Sequence, residues 1–175
     1  MRGLIYVALL IISIKALANN SFSLYGQVVY VDDGDTIIIN AEQAGKTIIR
    51  LADIDAPEIE HSKQRLPGQP YGEGSKAHLH AMANGQRISA NCYGYDQNQR
   101  ALCDVYLNGE NLGHKQVEAG LAWAYMNGGG RYLRDKTLLL AEKMAAFRRV
   151  GLWSLSAQIQ PWVWRKNCWK QKNCE

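Results

Sequence analysis

Acidic residues and one arginine crowd a short stretch of this 175-residue chain: Asp33, Asp35, Arg50, Asp53, Asp55 and Glu58. They stand in DGDTIII, ten residues, then RLADIDAPE. Asp35 opens one strand-like run and Asp55 closes another. If the runs pair as a hairpin, the two carboxylates converge although they are twenty positions apart. Converging carboxylates repel unless a cation sits between them. Oxygen ligands without Cys or His select Ca²⁺, Mg²⁺ or Mn²⁺ rather than zinc. Arg50 places a guanidinium beside them, as an anionic substrate such as a phosphate requires. Glu58 follows Pro57, whose ring restricts the backbone, and could act on a water as base or orienting group. Arg100 on a later hairpin could hold further phosphate oxygens. Two arginines, a dication and a glutamate suit phosphoryl transfer to water. The same residues also read as a calcium-stapled loop, or as an acidic turn in a structural salt bridge to Arg50.

The elements that must position these groups follow from patterning. Residues 23–31, 37–40 and 47–54 are rich in β-branched and aromatic residues and read as strands, joined by the turn 32–36 and a connection containing Gly45. Residues 61–72 read as a Gly- and Pro-rich loop, and 74–84 as a helix stopped by Gly85. Residues 86–92 and 100–107 form a second hairpin, and 111–120 a second helix. A last helix is predicted over 132–150, with Leu133, Thr137, Leu140, Met144 and Phe147 on one face. From Ser154 onward the chain has no clear period. Five short strands with about three helices predict an α+β domain, mainly β: a small closed barrel of the OB type.

Composition is that of an ordinary globular chain, with 47% hydrophobic and 21% charged residues, which excludes disordered, collagen-like and coiled-coil classes. No apolar run reaches the roughly 18 residues of a membrane span. Gly3 to Ile14 behind Arg2, followed by Ala16-Leu17-Ala18, reads as a signal peptide cleaved after Ala18; an uncleaved anchor is the alternative. The domains are then 1–18 signal peptide, 19–153 barrel and 154–175 tail. Losing Arg2 and Lys15 takes the net charge from +4 to +2, which permits a polyanionic partner without demanding one. Four cysteines in an exported chain suggest disulfides, and spacing favours Cys92–Cys103 with Cys168–Cys174. Four free thiols would need a reducing compartment.

DGDTIII with RLADIDAPE closely resembles the first signature of the staphylococcal nuclease-like (thermonuclease) family. The resemblance continues through QPYG at 69–72, DQNQRALCDVY at 96–106, GLAWAY at 120–125 and GLW at 151–153. It implies an OB-fold barrel and a Ca²⁺-dependent, sequence-tolerant endonuclease, with Mg²⁺ or Mn²⁺ as alternative ions. DNA and RNA would be cleaved to leave 3′-phosphate ends, single strands preferred. Asp35 and Asp55 match the family's calcium carboxylates and the Ala56 carbonyl its backbone ligand. Arg50 and Arg100 match the phosphate-binding arginines, Glu58 the catalytic glutamate, and Tyr125 falls near the tyrosines bordering the nucleotide pocket. The chain departs from the family at Gln97-Asn98-Gln99, where a basic residue and a Tyr usually precede the Arg. That departure bears on stacking and affinity, not on the chemistry. A monomer, exported to the periplasm or beyond and free of the membrane after cleavage, is the expected form. A non-catalytic nucleic-acid-binding module is the alternative, although it has no need of all five charged residues.

Other residues have mostly structural readings. His61, His78, His80 and His114 invite catalysis, His61 most because it follows Glu58. Asp33 and Asp53 read as supporting residues, with Asp33 either reaching the metal through water or holding the turn. Trp162, Trp164 and Trp169 interleave with Arg165, Lys166, Lys170 and Lys172, a mixture that suits either single-stranded nucleic acid or a tail packed over the barrel.

Overall fold

The structure is a computed structural model that describes residues 21–174. The expected signal peptide lies outside the described residues. Five strands form the barrel: β1 (Phe22–Val31), β2 (Thr36–Ala41), β3 (Gly45–Leu51), β5 (Arg87–Tyr95) and β6 (Ala101–Leu107). They run in the order β3-β2-β1-β5-β6 as antiparallel neighbours, and a parallel pairing of β3 with β6 closes the sheet. Inward residues such as Val28, Ile37, Ile39, Ile49 and Val105 fill the barrel. In β1 the register shifts between Val28 and Tyr30, so Val29 and Tyr30 both face solvent before Val31 turns in again.

The strand expected over 47–54 is broken. Asp53 takes a left-handed backbone (φ 63°), and Ile54–Asp55 becomes a separate short strand, β4. It pairs with β8 (Trp123–Ala124) rather than continuing in the barrel. The break turns Asp55 back toward β2. A two-residue strand, β7 (Glu110–Asn111), follows β6.

Helices α1 (Gly72–Ala83) and α2 (Leu112–Glu118) pack at one end of the barrel, and α3 (Thr137–Arg148) packs on α2. The last helix therefore starts at Thr137, not at 132. The Asp135 carboxylate accepts from Thr137 N at 2.9 Å and from Thr137 Oγ1 at 2.6 Å, fixing the turn that precedes it. The predicted face is also corrected. Leu138, Ala141 and Ala145 are buried, while Leu140 is 64% and Phe147 83% exposed. The small side chains let the helix axis approach its support, and this outweighs the larger apolar area of the neighbouring stripe.

The tail is ordered as well. After a 3₁₀ turn at Gly151–Ser154, helix α4 (Pro161–Trp164) runs directly into π-helical turns over Arg165–Lys170. Pro161 opens it, where proline's fixed φ suits the first helical residue. Both indole N–H groups, of Trp164 and Trp169, donate to the Pro67 carbonyl, at 3.1 and 2.9 Å. Gln69 Nε2 donates to Ile159 O at 2.8 Å. Cys168 is bonded to Cys174, and Cys92 to Cys103 across β5 and β6.

Candidate active site

The DGDT turn is held from three directions. The Asp33 carboxylate accepts the Asp35 amide at 2.9 Å, and Asp32 N donates to Thr36 O at 2.9 Å. From α2, the buried amide of Gln116 donates to Gly34 O at 2.6 Å and to Ser75 O at 3.0 Å, while its oxygen meets His78 Nδ1 at 2.5 Å. Gly34 admits no side chain: a Cβ there would lie 2.0 Å from Ser75 Oγ and 2.7 Å from Ala56 Cβ. Sequence inspection found the turn but not this buried glutamine, which carries no motif.

Pairing of β2 with β3 sets Thr36 opposite Arg50. Arg50 bridges the two aspartates. Nη1 donates to Asp35 Oδ1 and Nη2 to Asp55 Oδ1, the latter at 2.7 Å. Asp35 Oδ2 accepts the Ala56 amide at 2.9 Å, so Ala56 meets this carboxylate through its N–H. Burial pushes the Asp35 carboxyl up, but the Arg50 charge, the Ala56 amide and Arg100 together hold it below the usual range. Burial opposes the charge on Arg50 too, and Asp35 and Asp55 overcome it, so this arginine is cationic at any working pH. Burial and the neighbouring Asp35 push Asp33 up to about 7.

Arg100 immediately precedes β6, which pairs with β3. It is held by Asp96 through Nε and Nη2, both at 2.8 Å, and its Nη1 reaches Thr36 Oγ1 at 3.3 Å. It thus stands one residue from Asp35, with the Cys92–Cys103 bond across the hairpin that carries it.

Glu58 lies just beyond, where Gly72 leaves room; a Cβ on Gly72 would come 2.2 Å from Glu58 O. The Glu58 amide donates to Gln69 Oε1 at 3.0 Å. Its carboxylate is paired with a residue that motif reading assigned to the tail. Arg165 Nη1 donates to Glu58 Oε1 and, at 3.1 Å, to Asp55 Oδ1, while Nη2 donates to Asp55 Oδ2 at 2.7 Å. Burial pushes Glu58 up to about 7, with Arg165 opposing and Asp35 and Asp55 adding to the rise. Arg165 was missed because it is more than a hundred positions from its partners. The only sequence signal was a basic residue inside a Trp-rich, cysteine-closed segment.

Asp35, Arg50, Asp55, Ala56, Glu58 and Arg100 therefore share one region. Tyr125 stands at its margin: its amide donates to Asp53 O at 2.8 Å, and its ring meets Trp162 (5.6 Å between centroids, edge-on) and Tyr132 (6.4 Å). The Asp53 carboxylate turns away to the Asp135 amide and Arg134. His61 packs edge-on against Trp169, and His114 faces Thr137 and Glu118.

Among the described residues no three His, Cys, Asp or Glu side chains converge as a ready metal cage. The donor set nevertheless fits a hard dication in kind. It is oxygen only, it is buried at Asp35 and Asp55, and three carboxyl groups (Asp35, Asp55, Glu58) face two guanidinium groups (Arg50, Arg165).

Comparison with known proteins agrees with this geometry. A family model described as "Staphylococcal nuclease homologue" matches residues 48–155. An "Uncharacterized endonuclease" of Escherichia coli O157:H7 is 33% identical over 94% of this chain and 98% of its own length. One of the same name from Haemophilus influenzae is 32% identical over 80% of this chain and 72% of its own. A "Micrococcal nuclease" of Shigella flexneri is 32% identical over 95% and 92%. The arginine-bridged carboxylates, the barrel that holds them and these likenesses agree: the chain belongs to the staphylococcal nuclease homologue family and is a nuclease.

Proposed function

We propose that the protein is a calcium-dependent, sequence-tolerant endonuclease that hydrolyses DNA and RNA to leave 3′-phosphate ends. The observation that carries this reading is Arg50 bridging Asp35 and Asp55 beside the half-buried Glu58. Asp35, Asp55 and the Ala56 carbonyl would hold the cation, which supplies charge stabilisation and a polarised phosphate oxygen. Arg50 and Arg100 then offer guanidinium forks to the phosphate, positive charge where the transition state gains negative charge. Glu58 sits where burial raises its proton affinity, which suits a group that takes or orients a water proton near neutral pH. Tyr125 contributes a ring at the substrate margin.

The two disulfides support export to an oxidising compartment, periplasmic or external, after cleavage behind Ala18. Among the described residues no helix is long and apolar enough to cross a membrane. We take the mature enzyme to act as a monomer.

The test uses residues 19–175 with both disulfides formed. Single-stranded DNA, duplex DNA and RNA are incubated with Ca²⁺, Mg²⁺ or chelator, beside Glu58→Gln, and product ends are mapped. Calcium-dependent cleavage leaving 3′-phosphates, fastest on single strands and lost in Glu58→Gln, is expected. Binding without cleavage in every metal would sink the proposal in favour of a binding module.

A further inference from the structure

We propose that Arg165, delivered by the C-terminal helix, is a third phosphate-binding arginine of the nuclease site, and that it moves to the substrate from Asp55 and Glu58 when a divalent cation takes Asp55. The inference rests on the nuclease reading for its substrate, but its parts stand on geometry.

The tail is built to put Arg165 there. Trp164 and Trp169 both donate to one carbonyl, Pro67 O, and Cys168 is tied to Cys174. Gln69 links the two sides, because its side chain accepts from Glu58 N and donates to Ile159 O just before α4. The helix bearing Arg165 is therefore referenced to the loop that carries Glu58. One turn earlier on α4, Trp162 reaches the Tyr125 ring, so guanidinium and indole look toward the same side.

The two arginines on Asp55 differ in how they are held. Arg50 projects from the barrel wall, is 15% exposed, and also grips Asp35. Arg165 is 30% exposed, and among the described residues its ion pairs are to Asp55 and Glu58. Between them the guanidinium groups occupy both oxygens of Asp55. A cation that binds this carboxylate is repelled by both guanidinium groups, and Arg165 is the less constrained of the two. Like charges at this range repel strongly where water is scarce, so cation and guanidinium compete for the same oxygens. Once released, the side chain keeps its anchored helix and needs a new anion. A phosphate diester beside Asp55 matches its fork.

The experiment compares the full mature chain with Arg165→Ala and Arg165→Lys. Calcium affinity is read by calorimetry without substrate. Affinity for a cleavage-resistant phosphorothioate single strand is read by anisotropy with calcium present, and kcat and KM are read on the normal strand. Removing the competitor should tighten calcium binding of Arg165→Ala by several-fold to tenfold, with Arg165→Lys between it and wild type. Strand affinity should weaken, and KM rise, by about tenfold, with partial rescue by Lys. Unchanged calcium affinity overturns the competition. Strand affinity and KM unchanged, or activity raised at every substrate concentration, overturns the phosphate role. A wild type that binds calcium and strand but never cleaves would sink the nuclease reading alone, because the two binding comparisons still decide the role of Arg165.

Discussion

Two regions meet at Asp55 by opposite means. The stretch from Asp33 to Glu58 arrives through strand register and a turn pinned by Gln116; Asp35 and Arg50 are placed by the pairing of β2 with β3, and Asp55 by the pairing of β4 with β8, which leave little freedom. The C-terminal helix arrives from more than a hundred residues away, with two indole hydrogen bonds, one side-chain bridge and a short disulfide loop from Cys168 to Cys174 holding it. The first region resembles a fixed frame and the second a docked arm. Groups on the frame should set the chemistry, whereas groups on the arm should set affinities.

The sharpest break of this contrast is at Glu58. Glu58→Gln keeps shape and hydrogen-bonding capacity but removes the charge and the basic oxygen. Its kcat should fall by about 10²–10⁴, the usual worth of a general acid or base, while KM moves little. Thermal stability should stay close to wild type, since the carboxamide oxygen of the variant can still accept from Arg165. A kcat within threefold of wild type would move Glu58 from the chemistry to mere positioning.

Legibility followed the same division. Asp35 and Arg50 could be read from residue order because hairpin pairing converts a local spacing into a contact, whereas Asp55 and Glu58 lie past the break at Asp53 and were marked by the family signature rather than by the hairpin. Barrel strands were legible through alternation and β-branched runs. Other features were not legible, for physical reasons. Helix α3 carries two adjacent apolar stripes; close approach favours Ala141 and Ala145 over Leu140, Met144 and Phe147, and side-chain size alone points the wrong way. The tail helix is short and depends on contacts with Pro67, Gln69 and Glu58, so no period inside residues 154–175 could announce it. Arg165 was invisible because its partners are distant in sequence. The left-handed Asp53, which cuts the expected third strand and redirects Asp55, has no glycine or proline to mark it.

The frame contains its own staple, Cys92–Cys103, joining directly opposed residues of β5 and β6 inside the core. Replacing both cysteines by Ala should cost about 2–4 kcal/mol, which for a domain of this size lowers Tm by roughly 5–15 °C. Calorimetry checks this. A change under about 2 °C would mean that barrel closure through β3 and β6 already constrains the hairpin.

A smaller effect should appear as pH dependence in the presence of chelator. Asp33 is pushed up to about 7 by burial and by Asp35, and Glu58 is pushed up to about 7 mainly by burial. In the unfolded chain both ionise near 4. Between roughly pH 4 and 7 the folded state therefore binds more protons, and stability falls as pH rises through that window. Asp35 runs the other way, since its carboxyl is held below the ordinary range; its contribution is complete above about pH 4 and lost below. Metal-free Tm should drop by a few degrees from about pH 5 to about pH 7.5, and Asp33→Asn should flatten part of that slope. A rising or level Tm in the wild type would contradict the assignment.

The smallest change expected in Tm separates the arm from the frame. By loop length alone, the Cys168–Cys174 bond should rival the barrel disulfide, because chain-entropy stabilisation varies only slowly with loop size. Its location argues otherwise. It closes a loop at the end of a helix that rests on the barrel through a few side chains, so the arm can loosen before the barrel melts, and a bond inside such a unit hardly enters the global transition. Cys168→Ser with Cys174→Ser should therefore lower Tm by less than about 3 °C. Protease sensitivity should rise beyond residue 154, and the calcium and strand affinities should shift in the same directions as in Arg165→Ala, more weakly. A fall in Tm as large as that from losing Cys92–Cys103 would show instead that arm and barrel unfold as one unit, and that the C-terminal helix belongs to the frame.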